Sequence, residues 1–122
     1  LAKIWTVEIP YKFAGLNDYV FACRGNKFSG ATMKKQTQKA ITPYLKKLPE
    51  FKNPIRIDFT WTEANRRRDP DNCCFAKKFI LDVLVTLGKI PNDNMTYIKG
   101  FSDSFEIGKD YKVTLVITEV EQ

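Results

Sequence analysis

The stretch from Asn72 to Leu87 is apolar nearly all the way round: Phe75, Ala76, Phe79, Ile80, Leu81, Val83, Leu84, Val85 and Leu87 leave little polar surface. Asp71 stands before it as an N-cap and Gly88 follows as a C-terminal stop, which predicts a helix over 72–87. A helix without a broad polar face has to be buried by other elements rather than laid on a surface. Yet this one carries Lys78 and Asp82, spaced i,i+4, and on a continuous helix Asp71, Lys78 and Asp82 fall within roughly 40° of one another. Charge along a buried rod is costly unless it is paired or bound. Lys77 lies well off this line and reads as a solvated lysine.

The remaining pattern supplies the layers that would bury such a helix. Ile4 to Ile9 alternates and reads as a strand stopped by Pro10, while residues 11–30 read as irregular, with Gly15, Asn17-Asp18, Gly25-Asn26 and Gly30 as turn signals. A basic helix is expected from Thr32 to Leu48, with a break or kink at Pro43. Ile55 to Thr62 alternates cleanly. Tyr97 to Phe101 is a weak strand and Tyr111 to Val120 a strong one. The order β-α-β-α-β-β predicts an α+β fold: a mixed, mostly four-stranded sheet with two helices packed on it, forming a single domain over 1–122.

Composition narrows the chemistry. Twenty Lys+Arg against fourteen Asp+Glu give a net charge of +6, which favours polyanionic partners. There is no histidine, so His-based acid/base catalysis and His-ligated zinc are excluded. Cys23, Cys73 and Cys74 show no metal-ligand spacing and read as buried, reduced thiols, pointing to a cytoplasmic setting. No signal peptide or membrane-spanning apolar run is visible, so a soluble protein without membrane contact is expected. The chain opens on Leu1, so a start residue or short segment before it is expected.

The charged residues that bound the apolar helix carry the functional signal. Arg66-Arg67-Arg68 abut Asp69-Pro70-Asp71-Asn72, and Asn92-Asp93-Asn94 follows the helix. Arginines there can hold phosphate, and clustered aspartates can hold a hard divalent metal. Both together point to cutting or joining a nucleic-acid backbone. Each residue also has a plain structural reading: a Lys78–Asp82 ion pair, a capping Asp71, a turn at Asp69-Pro70, and a turn at Asn92 and Asn94. Asp93 would reach the start of the helix only if the loop after Gly88 folds back.

The run RRRDPDN, then Lys78 four residues before Asp82, then PNDN, resembles the RusA family of Holliday-junction resolvases. The similarity extends to the GLNDY segment with Arg24 and to the basic helix near Lys34, and so covers nearly the whole chain. It implies that Asp69, Asp71 and Asp93 bind Mg2+ (with Mn2+ as a substitute), activating water and polarising the scissile phosphate. It also implies that Lys78 is the essential lysine, stabilising negative charge as it develops. Three more residues separate Asp71 from this lysine than in the best-known member of the family, and seven residues return to the same helix face as four do.

Around that site Asp82 would orient Lys78. Arg66, Arg67, Arg68, Lys34 and Lys35 would hold backbone phosphates, with Asn17 and Arg24 as weaker substrate contacts; for the lysines a solvated basic face, and for Asn17 a turn, are equally good readings. The partner expected is a four-way DNA junction, cut by paired nicks from a homodimer. The competing expectations are a catalytically silent branched-DNA-binding protein and a flap or non-specific nuclease on the same scaffold.

Overall fold

The computed structural model describes residues 3–26 and 28–120. The chain runs β1 (Ile4–Ile9), α1 (Leu16–Gly25), α2 (Ser29–Leu45), β2 (Ile55–Glu63), α3 (Pro70–Cys74), α4 (Lys77–Thr86), β3 (Ile98–Ile107) and β4 (Lys112–Glu119). The four strands form one mixed sheet in the order β1-β4-β2-β3. β4 is antiparallel to both β1 and β2, whereas β3 is parallel to β2. The α+β class and the four-stranded mixed sheet are as the alternation of residue types predicts.

The period-2 pattern makes the sheet one-sided. Ile55, Ile57, Phe59 and Trp61 of β2 and Val113, Leu115 and Ile117 of β4 are all buried on one face, where they meet Ile41 and Leu45 of α2 and Phe79, Ile80, Val83 and Leu84 of α4. The other face of β2 carries Arg56 and Asp58, whose charges lie 3.5 Å apart near the solvent. Burying one face of a sheet under a helical layer is the two-layer solution that such alternation dictates.

Four elements differ from the sequence expectation. Residues 11–30, read as irregular, contain α1. Gly15 is its N-cap and has no side chain to offer, so Asn72 of α3 substitutes: its Oδ1 accepts the Asn17 N–H at 3.0 Å, while Asp18 Oδ2 accepts the Gly15 N–H at 3.1 Å. A cap supplied from across the chain is invisible to local reading. A Cβ on Gly15 would stand 2.5 Å from Asn72 Oδ1. Gly15→Ala is therefore expected to push Asn72 off its cap and cost about 1 kcal/mol in a urea melt, and Asn72→Ala to cost about the same.

The basic helix spans Ser29–Leu45 and passes through Pro43 without a break, because Pro43 lies near its end and Lys46 N–H still reaches Thr42 O at 3.1 Å. The helix expected over 72–87 is in two pieces. Across Phe75 and Ala76 the backbone turns tightly, with Lys78 N–H bonding Phe75 O and Phe79 N–H bonding Ala76 O, three residues back instead of four. Phase carried along a continuous helix from Asp71 therefore does not hold beyond the break. Asp69, not Asp71, occupies the N-cap position, with Pro70 in the first turn.

The fourth difference is β3, which runs from Ile98 to Ile107 where only Tyr97 to Phe101 had strand character. Ser102, Asp103 and Ser104 are poor strand formers, and the element is held by its parallel register with β2. Gly88 does end the α4 segment, at φ +73°, with Lys89 N–H closing back on Leu84 O at 2.9 Å.

Candidate functional site

Lys78 is the centre of a chain of alternating charges. Its Nζ lies 3.1 Å from Asp82 Oδ1 and 3.0 Å from Asp93 Oδ2, and Lys34 Nζ of α2 lies 3.1 Å from Asp82 Oδ2. The Lys34 contact is ionic rather than a hydrogen bond: no donor is aligned with that buried Oδ2. The two carboxylates are the more buried members, while Lys78 keeps 59% of its side chain exposed.

Lys78 and Asp82 meet because they are one turn apart on α4. Asp93 meets them because the chain reverses after Gly88. Ile90 is buried and Lys89 O accepts the Phe51 N–H at 2.9 Å, which pins the start of the return. Asn92 Oδ1 and Asn94 Oδ1 accept the N–H groups of Asp93 and Thr96, so the two asparagines build the turn as their residue type suggests. The loop thereby covers the roughly 12 Å of helix between Thr86 and Lys78.

Hydrogen bonds from Lys78 to Asp93, then to Asp82, raise its pKa above the ordinary 10.5. A raised lysine value means that the folded state favours the ammonium. Its contribution is complete below 10.5 and is lost as the pH rises through the raised value, so the network stands intact at neutral pH.

The three aspartates do not gather. Asp69 and Asp71 are exposed at the start of α3, and Asp71 Oδ1 accepts the neighbouring Asn72 N–H at 3.0 Å. Among the described residues no group of three or more Asp, Glu, Cys or His side chains stands close enough to hold a metal ion. The three-aspartate ligand set is therefore not assembled as placed: Asp93 is bonded to an ammonium, and Asp69 and Asp71 remain as the exposed carboxylates that could take a hard cation.

The basic residues divide into two groups. Arg66, Arg67, Lys35 and Arg24 are exposed and form no ion pair among the described residues, as does the exposed Asn17, whose N–H is taken by Asn72. Arg68 lines the same cleft as Arg66 and Asp69 but is engaged within the chain. Its guanidinium forks onto Glu63 at 2.8 and 3.0 Å and donates to Phe13 O at 2.7 Å, and the Glu63 hydrogen bonds raise its pKa. Lys34 is spent on Asp82. An open cleft of about 470 Å³ lies beside α3, walled by Arg66, Asp69, Pro70, Glu106, Phe105 and Ile107 among others.

Lys77 also departs from expectation. It is not solvated: its Nζ bonds Asp103 Oδ2 at 2.6 Å and lies over the rings of Phe101 and Phe59 at 4.7 and 5.3 Å. The tight turn before α4 rotates it onto the sheet, leaving Lys78 as the outward lysine. Asp103, which also accepts the Trp61 Nε1–H at 2.9 Å, carried no signal in the sequence because its role depends on the parallel register of β3.

The cysteines are all free, with Cys73 buried, Cys74 half-buried and Cys23 exposed rather than buried, its Sγ lying beside Gly30 of α2. Burial, then the Glu63 charge, pushes the Cys73 thiol up to about 11. At pH 8 about one Cys73 in a thousand is then thiolate. Iodoacetamide followed by peptide mass mapping is expected to label Cys23 well before Cys73 in the folded protein.

Among the described residues no helix is long and apolar enough to cross a membrane. No protein-family model matches the sequence, and no curated protein matches it.

Proposed function

We propose that this chain is a metal-dependent, structure-selective endodeoxyribonuclease that resolves four-way DNA junctions by paired nicks, working as a homodimer in a cytoplasmic setting. The observation that carries the reading is the return of Asp93 to Lys78. A loop aspartate and a helix lysine, fifteen residues apart, share a hydrogen bond on an exposed surface. That contact lies on the helical layer, which also carries Arg24 and Lys35, both exposed and without an ion pair among the described residues. A polyanion has cations to meet there.

On this reading Arg66 and Arg67 hold backbone phosphate beside Asp69, and the exposed Lys78 ammonium faces the negative charge that builds on a phosphate under attack. Asp82 holds Lys78 in place. Asp69 and Asp71 would hold the magnesium ion, since exposed carboxylates suit a hard cation.

A second reading, a silent branched-DNA-binding protein, is favoured by the separation of the aspartates, which form no metal-holding group among the described residues. Two measurements separate them. Lys78→Ala is expected to lower the nicking rate by about 10- to 100-fold while changing junction affinity less than threefold. Wild-type turnover in that variant would remove Lys78 from the chemistry. Competition among junction, flap and linear duplex should favour the junction. Equal cleavage of all three would point to a non-specific nuclease.

A further inference from the structure

We propose that Phe21 is a stacking platform for an unpaired nucleobase, and that through it the chain tells a branch point from intact duplex. α1 is ten residues long and none of them is buried. At 3.6 residues per turn, Asn17, Phe21 and Arg24 fall within about 60° of one another on that helix. All three are exposed, and Phe21, at 80%, is more exposed than any other aromatic side chain among the described residues.

α1 docks by its opposite side. Tyr19 sets its ring against Phe75 and Phe79, at centroid distances of 5.3 and 5.8 Å, and Cys23 lies beside Gly30 of α2. Phe21 belongs neither to the core nor to the side chains packed against it. The fold therefore gains little from this ring, and keeping it in water has a cost. An isolated exposed phenylalanine is common on protein surfaces. Phe21 is set apart by its company and by its place.

Along the stripe its neighbours are an amide and a guanidinium, with no carboxylate between them. Asp18, the one acidic residue of α1, is turned to the Gly15 N–H at 3.1 Å. Arg24 is exposed without an ion pair among the described residues, and so is Lys35 on the adjoining α2. An aromatic face among cations is the composition that holds single-stranded nucleic acid: the cations meet phosphates, and the ring stacks on a base of any sequence. A protein partner would ask for a broad apolar centre, which one ring among polar side chains does not provide.

The stripe also starts beside the candidate site. Asn17 opens it and gives its N–H to Asn72 Oδ1 at 3.0 Å, and Asn72 directly follows Asp71. Phe21 lies about 6 Å farther along the helix and Arg24 about 10 Å. These spacings are about two and three nucleotide steps of a strand that rises about 3.4 Å per step. A strand held by its phosphate near Asp71 would thus carry its next bases past Phe21. In an intact duplex each base is covered on both faces by its neighbours, and the ring has nothing to meet. At a branch point the stack is interrupted, so a base can turn to the ring at little cost. The role rests on the branched-DNA reading given above and adds the side chain that would produce that selectivity.

Binding in the presence of a chelator, without cleavage, to a four-way junction, a duplex with one unpaired base and a linear duplex tests this role. Phe21→Ala is expected to weaken binding to the first two by about 10-fold and to linear duplex by less than about twofold, with an unchanged melting curve. Phe21→Leu, apolar but without an aromatic face, should behave like Phe21→Ala, while Phe21→Trp should keep the preference. The unpaired base should also quench the added indole of Phe21→Trp beyond any change in the wild type, whose Trp5 and Trp61 are half-buried and buried. Equal loss on all three DNAs, full binding by Phe21→Ala, a preference that survives in Phe21→Leu, or no added quenching would each overturn the role of Phe21. A wild type that binds linear duplex as tightly as the junction would instead overturn the branched-DNA reading, and this role with it.

Discussion

Asp71→Asn is expected to reduce junction nicking by at least about 100-fold, roughly 3 kcal/mol of transition-state stabilisation, while leaving junction binding and thermal stability almost unchanged. The separation of these effects follows from where Asp71 sits. It is exposed in the first turn of a five-residue helix, and among the described residues its carboxylate is hydrogen-bonded by the adjacent Asn72 N–H alone. Asparagine keeps an oxygen for that N–H and loses only a favourable charge near a helix start, worth about 0.3–1 kcal/mol. Removing a negative charge from the path of a phosphate backbone is expected to hold or tighten binding. Single-turnover nicking, a binding isotherm and a melting curve on the same preparation check all three. Parallel loss of cleavage, binding and stability would show that Asp71 is a structural residue.

Arg68→Ala is expected to be the most damaging change among the arginines, lowering the unfolding free energy by about 3 kcal/mol and the melting temperature by on the order of 10 °C. Both members of the Arg68–Glu63 pair are largely withdrawn from water, at 17% and 13% exposure. Deleting the guanidinium leaves the Glu63 carboxylate and the Phe13 carbonyl without their donor in a half-buried place. Arg68→Lys should rescue little, because one ammonium cannot fork onto a carboxylate and reach a carbonyl as well. Arg66→Ala and Arg67→Ala, by contrast, should leave the melting temperature within about 2 °C and weaken DNA binding in a salt-dependent way. Differential scanning calorimetry of the three variants separates the roles.

These contrasts show what the sequence could and could not reveal. The strands with clean alternation, Ile4–Ile9 and Ile55–Glu63, are legible because burial on one face writes itself directly into every second residue. The helix stop at Gly88 is legible for a similar local reason, since a positive φ selects glycine. What escapes is everything fixed by a distant partner. α1 is hidden because its cap comes from Asn72, and β3 because its register comes from β2.

The same division runs through the candidate site. Lys78–Asp82 follows from i,i+4 spacing, but the arginine that is locked could not be told from the two that are free, since Glu63 reaches Arg68 through the turn between β2 and α3. Lys77 and Lys78 are adjacent letters with opposite fates, decided by a tight turn at Phe75 and Ala76 that no periodicity announces. The return of Asp93 depends on a fold-back of the loop after Gly88 that no spacing fixes. The folded chain does bring it to α4, to an ammonium rather than to the other two aspartates.

Metal-dependent cleavage is tested most directly by nicking of a synthetic four-way junction by the purified chain across a titration of Mg2+, with Mn2+ and a chelator as controls. Paired, symmetrically placed nicks are expected to appear with added metal and vanish with chelation, under conditions where linear duplex stays intact. Tight junction binding with no nicks at any Mg2+ or Mn2+ concentration would contradict metal-dependent cleavage.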